Sequence, residues 1–139
     1  MAETPFGTLP AHWGLSALGE LCESVEDGDW VESKDQGGSD YRLLQVSNIG
    51  TGEFRETGNF RYITTETFRN LRCHEILVGD VLIARMPDPV GRAWCVRELL
   101  EPAITSVDVA IARVNQSVVD PGFIAAYLNS PFNLAFAEQ

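Results

Sequence analysis

The chain has 139 residues, of which 45% are hydrophobic and 22% charged, and a formal net charge of −10. That is the length and composition of one ordinary globular domain. No apolar run approaches the roughly 20 residues of a membrane span, and hydrophobicity is too high for a disordered tail.

Residues 1–12 read as a loose lead-in, broken by Pro5, Gly7 and Pro10. From Trp13 to Cys22 the spacing of Leu15, Leu18 and Leu21 predicts a short helix or turn. Glu26-Asp27-Gly28-Asp29 reads as a turn, and Glu32 to Asp40 as a long polar loop with Gly37-Gly38 inside. Tyr41 to Val46 predicts a strand closed by a turn at Ser47 to Gly50. Gly52-Glu53-Phe54 and Phe60 to Ile63 read as two extended pieces. Thr64 to Thr67 carries N-cap chemistry for a helix over roughly 65–71.

Val81 to Arg85 is apolar on both faces and is expected to be a buried strand. Pro87 and Pro89 demand a loop. Ala93 to Val96, Ala103 to Thr105 and Asp108 to Arg113 predict further strands, and Pro121-Gly122 opens a final helix over 123–128. The segments Asp80 to Arg85 and Asp108 to Arg113 echo each other, DVLIAR and DVAIAR. Two copies do not make a repeat architecture, and two buried strands of one sheet explain them. The fold class is α/β in the wider sense (α+β): a single globular domain, a twisted mixed β-sheet with short flanking helices. Trp13, Trp30 and Trp94 are expected in its core.

Most catalytic signatures are missing. There is no phosphate-binding glycine loop and no G-x-S-x-G elbow. His12 and His74 sit in no metal-binding pair. Glu32-Ser33-Lys34 has the bare form of a nuclease ExK motif but lies in a loop. Asn129-Ser130-Pro131-Phe132 is faintly like a methyltransferase motif and reads instead as helix-end punctuation. Cys22, Cys73 and Cys95 are odd in number and far apart, which implies reduced thiols. No secretory signal opens the chain, so a cytoplasmic location is expected. Ligand spacing offers no structural metal, and no cofactor is expected. A binding module, not an enzyme, is the default.

Charge is uneven. Residues 1–40 hold nine acids and one lysine, whereas residues 41–100 hold seven acids and eight arginines. A non-specific nucleic-acid binder is disfavoured by the total, while a local basic surface in the middle of the chain is compatible with it.

Taken in order, several segments resemble one family. They are Trp13 with Leu18-Gly19-Glu20-Leu21, Asp27-Gly28-Asp29-Trp30, Leu43 to Ile49 with Gly52, and Tyr62-Ile63. The fullest match is Leu77 to Arg85, followed by Val90-Gly91-Arg92, Val96 and Phe123 to Ser130. Together, over roughly residues 13–132, they are similar to the target recognition domain of the DNA specificity subunit of type I restriction-modification systems. The resemblance implies an α/β globule over residues 13–139 that reads one half of a split double-stranded DNA target. It implies a DNA methyltransferase subunit and a restriction subunit as partners, with self-association as a further possibility. The family's closing strands and spacer helices are expected to be absent from this stretch.

Groove chemistry then selects candidates. Arginine can bond guanine N7 and O6 in bidentate fashion, and glutamine or asparagine adenine N6 and N7; other cations and hydroxyls fix phosphates. The candidates are Lys34, Gln36 and Ser39 in the glycine-containing loop, Arg42 and Gln45 on the next strand, Arg85, and Arg92 after the proline loop. For Arg42 and Gln45 a plain solvent-facing role stands beside base reading. For Arg85 the alternative is an ion pair with Asp80 or Asp88. Asn48 is expected to cap its own turn, and Gly79-Asp80 to be a structural turn. The alternative function is a protein-interaction module that binds a methyltransferase or other partner and does not read DNA alone.

Overall fold

A computed structural model describes the backbone of residues 2–4 and 7–9 and the whole of residues 20–87 and 89–130. Within the stretch that reads as a lead-in, β1 (Ala2–Thr4) pairs antiparallel with β2 (Gly7–Leu9). The predicted helix around Trp13 lies largely outside the described residues. Its last three residues do not: Glu20 and Leu21 are helical, and Cys22 opens β3 (Cys22–Asp27), a strand where the sequence pattern showed helix and turn.

Two sheets stack face to face. The first contains β3, β6 (Val81–Ala84), β7 (Ala93–Cys95) and β9 (Val109–Val114), all antiparallel, in the order β3-β9-β6-β7. The second contains β4 (Tyr41–Leu44), β5 (Tyr62–Ile63) and β8 (Ala103–Thr105) in the order β5-β4-β8. It is mixed, because β4 runs parallel to β8 and antiparallel to β5. The expected α+β architecture with short helices is therefore present, but the single mixed sheet is divided in two.

The physical reason lies in the alternation of side chains along the strands. Val81, Ile83, Ala110, Ala112 and Val114 point to one face of the first sheet, where they pack with Ile124, Ala125 and Leu128 of α2 (Pro121–Leu128). Leu82, Ala84, Val109 and Ile111 point to the other face and pack with Leu44, Ile49 and Ala103 of the second sheet's side. Strands apolar on both faces need cover on both faces. The second sheet supplies it. Its own far face, Leu43, Ile63 and Ile104, is covered by Val31 and by Phe68 of α1 (Thr65–Asn70). The Phe68 ring stacks on Tyr41 with centroids 4.2 Å apart.

The two echoing segments are neighbours in the first sheet, paired antiparallel from Val81↔Ala112 to Ala84↔Val109. β3, by contrast, is an edge strand and carries Glu23, Glu26 and Asp27. Charged edges resist pairing with other chains, which is why this strand lacks an apolar signature.

Both helices start as their sequences predict. Thr64 Oγ1 accepts from Thr67 N at 3.1 Å. Asp120 Oδ1 accepts from Gly122 N at 2.6 Å, with Pro121 in the first turn. These bonds satisfy backbone donors that have no partner inside the helix. Asn48 behaves as expected too: its Oδ1 accepts from Gln45 N at 2.9 Å and its Nδ2 donates to Arg55 O at 2.9 Å.

One short segment ties the sheets together. After β3 the chain passes through Gly28 to Asp29, whose N–H donates to Thr105 O at 2.8 Å and which bridges Ser106 in parallel. A Cβ on Gly28 would overlap the Ser106 carbonyl oxygen, so only glycine lets the backbones approach this closely.

Candidate nucleic-acid interface

The strand ends on one side of the molecule meet at a cleft of about 550 Å³. The end of β3 contributes Asp29, Trp30 and Val31, and the end of β4 contributes Leu43, Gln45 and Val46. Ser106, Val107 and Asp108 come from the turn between β8 and β9, and Arg61 from the approach to β5. Glu32, Ser33 and Gln36 close the rim from the long polar loop. That loop is not shapeless. Ser33–Asp35 forms a single 3-10 turn, with Glu32 N donating to Asp35 Oδ2 at 3.0 Å.

Of the residues selected from the sequence, Gln36 and Gln45 line this cleft. Lys34 stands on the 3-10 turn beside it, largely exposed, with its ammonium 3.4 Å from Glu32. Arg85 adjoins the cleft, since its N–H donates to the Asp108 carbonyl at 2.8 Å. The Arg85 guanidinium pairs with Asp27, not with Asp80. Ser39 is exposed but is not a wall of the cleft.

Arg42 and Arg92 are elsewhere, and their surroundings do not suit base reading. Arg92 is 2% exposed and donates to the carbonyls of Val46, Ile49, Met86 and Pro89 at 2.5–3.0 Å. It ties the proline loop to the turn after β4. Arg42 is 6% exposed and makes a bidentate pair with Glu56 at 2.7 and 2.9 Å. Its guanidinium also lies 4.4 Å from the Phe60 ring centroid. The bond to the Glu56 carboxylate raises the Arg42 pKa, and the bond from the Arg42 guanidinium holds Glu56 below the ordinary carboxylate value. A sequence shows that an arginine follows a strand residue; it does not show which carboxylate returns to meet it 14 residues later.

Two residues of the cleft escape a reading of the sequence alone. Arg61 is exposed, its Nε donating to Asn59 Oδ1 at 3.1 Å. Its position beside β4 was legible only through pairing: Leu43 N donates to Arg61 O at 2.7 Å. Trp30, expected in the core, is 70% exposed. The residue before it is the opposite. Asp29 is 7% exposed, and its carboxylate accepts from His74 N at 2.9 Å and lies 2.9 Å from His74 Nδ1. His74 Nε2 in turn lies 3.3 Å from Glu26. Trp30 is thus a large apolar side chain presented to water from a fixed base. Trp94 does pack as expected, tilted against Phe54 at 5.2 Å, and Trp13 lies outside the described residues.

Chemically the cleft offers amide groups that both donate and accept, acceptor-only carboxylates on Asp29, Glu32 and Asp108, one arginine and one indole. It is not a phosphate trough, because its carboxylates outnumber its cations. Among the described residues no group of three or more His, Cys, Asp or Glu side chains could hold a metal ion, and no helix is long and apolar enough to cross a membrane.

No protein-family model and no curated protein matches the chain. Solved structures do. The HsdS subunit from Thermoanaerobacter tengcongensis aligns with 98% of this chain and 31% of its own, at a TM-score of 0.66 and 19% identity. A chain from a structure described as the basis of complex assembly and conformational transition of the type I R-M system aligns with 89% of this chain and 29% of its own. There the TM-score is 0.60 and the identity 20%. The fold is thus the target recognition domain fold found in HsdS, in line with the resemblance drawn from the sequence. The chain spans about a third of the length of those solved chains.

Proposed function

We propose that the chain reads double-stranded DNA sequence as the target recognition domain of a type I restriction-modification specificity subunit. In this reading it directs a DNA methyltransferase and a restriction subunit to one half of a split target. It has no catalytic role of its own, carries no cofactor and works in the cytoplasm. The observation that carries the proposal is the agreement of fold over 98% of the chain with an HsdS subunit. The cleft adds chemistry suited to base edges. Gln36 and Gln45 have the groups that pair with adenine N6 and N7, and Asp108 can accept from cytosine N4. Trp30 would pack against base edges or a thymine methyl, and Lys34, Arg61 and Arg85 would meet phosphates. Arg42 and Arg92 take no part, because both are committed inside the fold.

The test is a selection from random duplex oligonucleotides at low salt, with the bound pool sequenced. An enriched motif of a few base pairs is the expected result. No enrichment from a folded sample overturns autonomous reading.

A second reading has its own observation. The cations beside the cleft are already engaged, Lys34 with Glu32 and Arg85 with Asp27, and the net charge is −10. Phosphate attraction supplies much of the affinity of DNA-binding proteins. A cleft whose neighbouring Lys34 and Arg85 are so engaged fits a module that leans on a methyltransferase or another copy of itself for that attraction. Enrichment that appears only with a methyltransferase subunit present would favour this reading.

A further inference from the structure

The turn between β8 and β9 brings Asp108 to the cleft, and three other strands hold that turn. Ser106 N donates to Leu44 O of β4 at 2.9 Å, and Asp108 O accepts from Arg85 N, just past β6, at 2.8 Å. Asp29, just past β3, bridges Ser106 in parallel. The turn is also closed on itself. Val109 N donates to Ser106 O at 3.1 Å, and the buried Thr105 hydroxyl donates to Val109 O at 3.3 Å. The backbone of Asp108 is therefore fixed while its side chain is exposed. A side chain on so well supported a base is placed before any ligand arrives.

The carboxylates of the cleft are not equivalent. That of Asp29 is taken by His74, at 2.9 Å from both the backbone N and Nδ1. That of Glu32 stands 3.4 Å from the Lys34 ammonium. Among the described residues the Asp108 carboxylate has neither a hydrogen bond nor an ion pair. An ionised carboxylate accepts hydrogen bonds and donates none. Against DNA it is repelled by the phosphates, and only a donor on a base offsets that repulsion.

We infer that Asp108 is a specificity-determining residue: it fixes one cytosine of the target, its carboxylate accepting from the N4 amino group in the major groove. This rests on the DNA reading proposed above. The choice of base follows by elimination. Guanine presents N7 and O6 and thymine presents O4, all acceptors, which repel a carboxylate. Adenine offers its N6 amino group, but the N7 acceptor beside it faces the second carboxylate oxygen. Cytosine has a C–H on that side of its amino group and no acceptor of its own there. Gln36 and Gln45, which both donate and accept, suit adenine instead.

The test starts from the duplex pool enriched by the full wild-type chain, in which one position should be fixed as cytosine. That cytosine is then replaced by a 2-pyrimidinone nucleotide, which still pairs with guanine but lacks the amino group. The same replacement at a cytosine outside the motif is the control. Wild type should bind the modified duplex about tenfold more weakly than the natural one, the scale of one base contact. Asp108→Ala should bind the two alike, because the contact that tells them apart is gone. Asp108 is exposed, so the variant should keep the wild-type urea midpoint, and the modified duplex probes the unaltered chain in any case. A motif with no fixed cytosine, no loss in wild type beyond the control, or an equal loss in Asp108→Ala would each overturn the assignment and leave DNA reading intact. No enriched motif from folded wild type would overturn both.

Discussion

The side-chain amide of Asn129 makes to Ala93 both hydrogen bonds that a neighbouring strand would make. Its Oδ1 accepts from Ala93 N and its Nδ2 donates to Ala93 O, each at 2.7 Å. Ala93 is in β7, an edge strand of the first sheet, and is fully buried. The residue that closes α2 thus finishes the sheet edge beneath it. Removing the amide leaves the buried Ala93 N–H unpaired, while Ala93 O keeps the bond from Gly52 N at 2.9 Å. Asn129→Ala should cost about 2 kcal/mol, read as a lower urea midpoint at unchanged slope. Asn129→Asp keeps the acceptor but loses the donor, and should also destabilise.

Gly28 should tolerate no side chain. A Cβ there meets backbone at Ser106 and the Thr105 hydroxyl oxygen, at the place where β3 is tied to β8. Backbone cannot swing away as a flexible side chain can. Gly28→Ala should therefore cost about 3 kcal/mol, at the upper end of overpacking effects. Thermal unfolding checks it, and a melting temperature within a degree of wild type would contradict the close approach.

Stability should fall on the acid side. The Asp120 pKa is held below its ordinary value by the Gly122 N–H first and then by Arg97, and that of Glu56 chiefly by the bond from Arg42. A depressed folded pKa contributes stability that is present above the unfolded value, near 4, and is lost as pH falls through the folded one. Denaturant midpoints measured between pH 6 and pH 2 should therefore decline below about pH 4.5. Asp120→Asn and Glu56→Gln should each flatten that decline.

The thiols should be sluggish. Burial pushes the Cys22 pKa up to about 11 and that of Cys73 up to about 12, the latter helped by the charge of Asp29. The thiolate is the reactive form. Labelling by a thiol-exchange reagent should be slow at pH 7.5 and accelerate as pH rises, with rapid reaction only on unfolding.

The cleft and the buried arginines should separate cleanly. Trp30→Ala removes an exposed side chain, so stability should stay within about 0.5 kcal/mol while affinity for an enriched duplex falls roughly tenfold. An apolar contact releases no counterions, so the dependence on salt should be unchanged. Lys34→Ala should instead reduce the salt slope by about one. Arg92→Ala strips donors from four carbonyls, that of Ile49 fully buried and the others partly so, and leaves a cavity, and should destabilise the fold by about 3 kcal/mol or more. Binding loss there would follow unfolding.

Element existence was largely legible in the chain. The apolar runs at 81–84 and 109–114, the Thr64 cap and Pro121 each act over a few residues, and local stereochemistry decides them. The edge strand β3 was not legible, because an edge is defined by what fails to pair with it, and its acids resemble a loop. The candidate site divided along the same line. Residue types suited to base edges were visible at Gln36 and Gln45. The fates of Arg42, Arg92 and Trp30 were not, since each depends on contacts reaching 14 to 46 residues along the chain or on a fixed base built from β3, β8 and His74. Burial and pairing are properties of the packed sheets. Sequence alone determines which side chains can make an interface, and tertiary structure decides which of them remain free to do so.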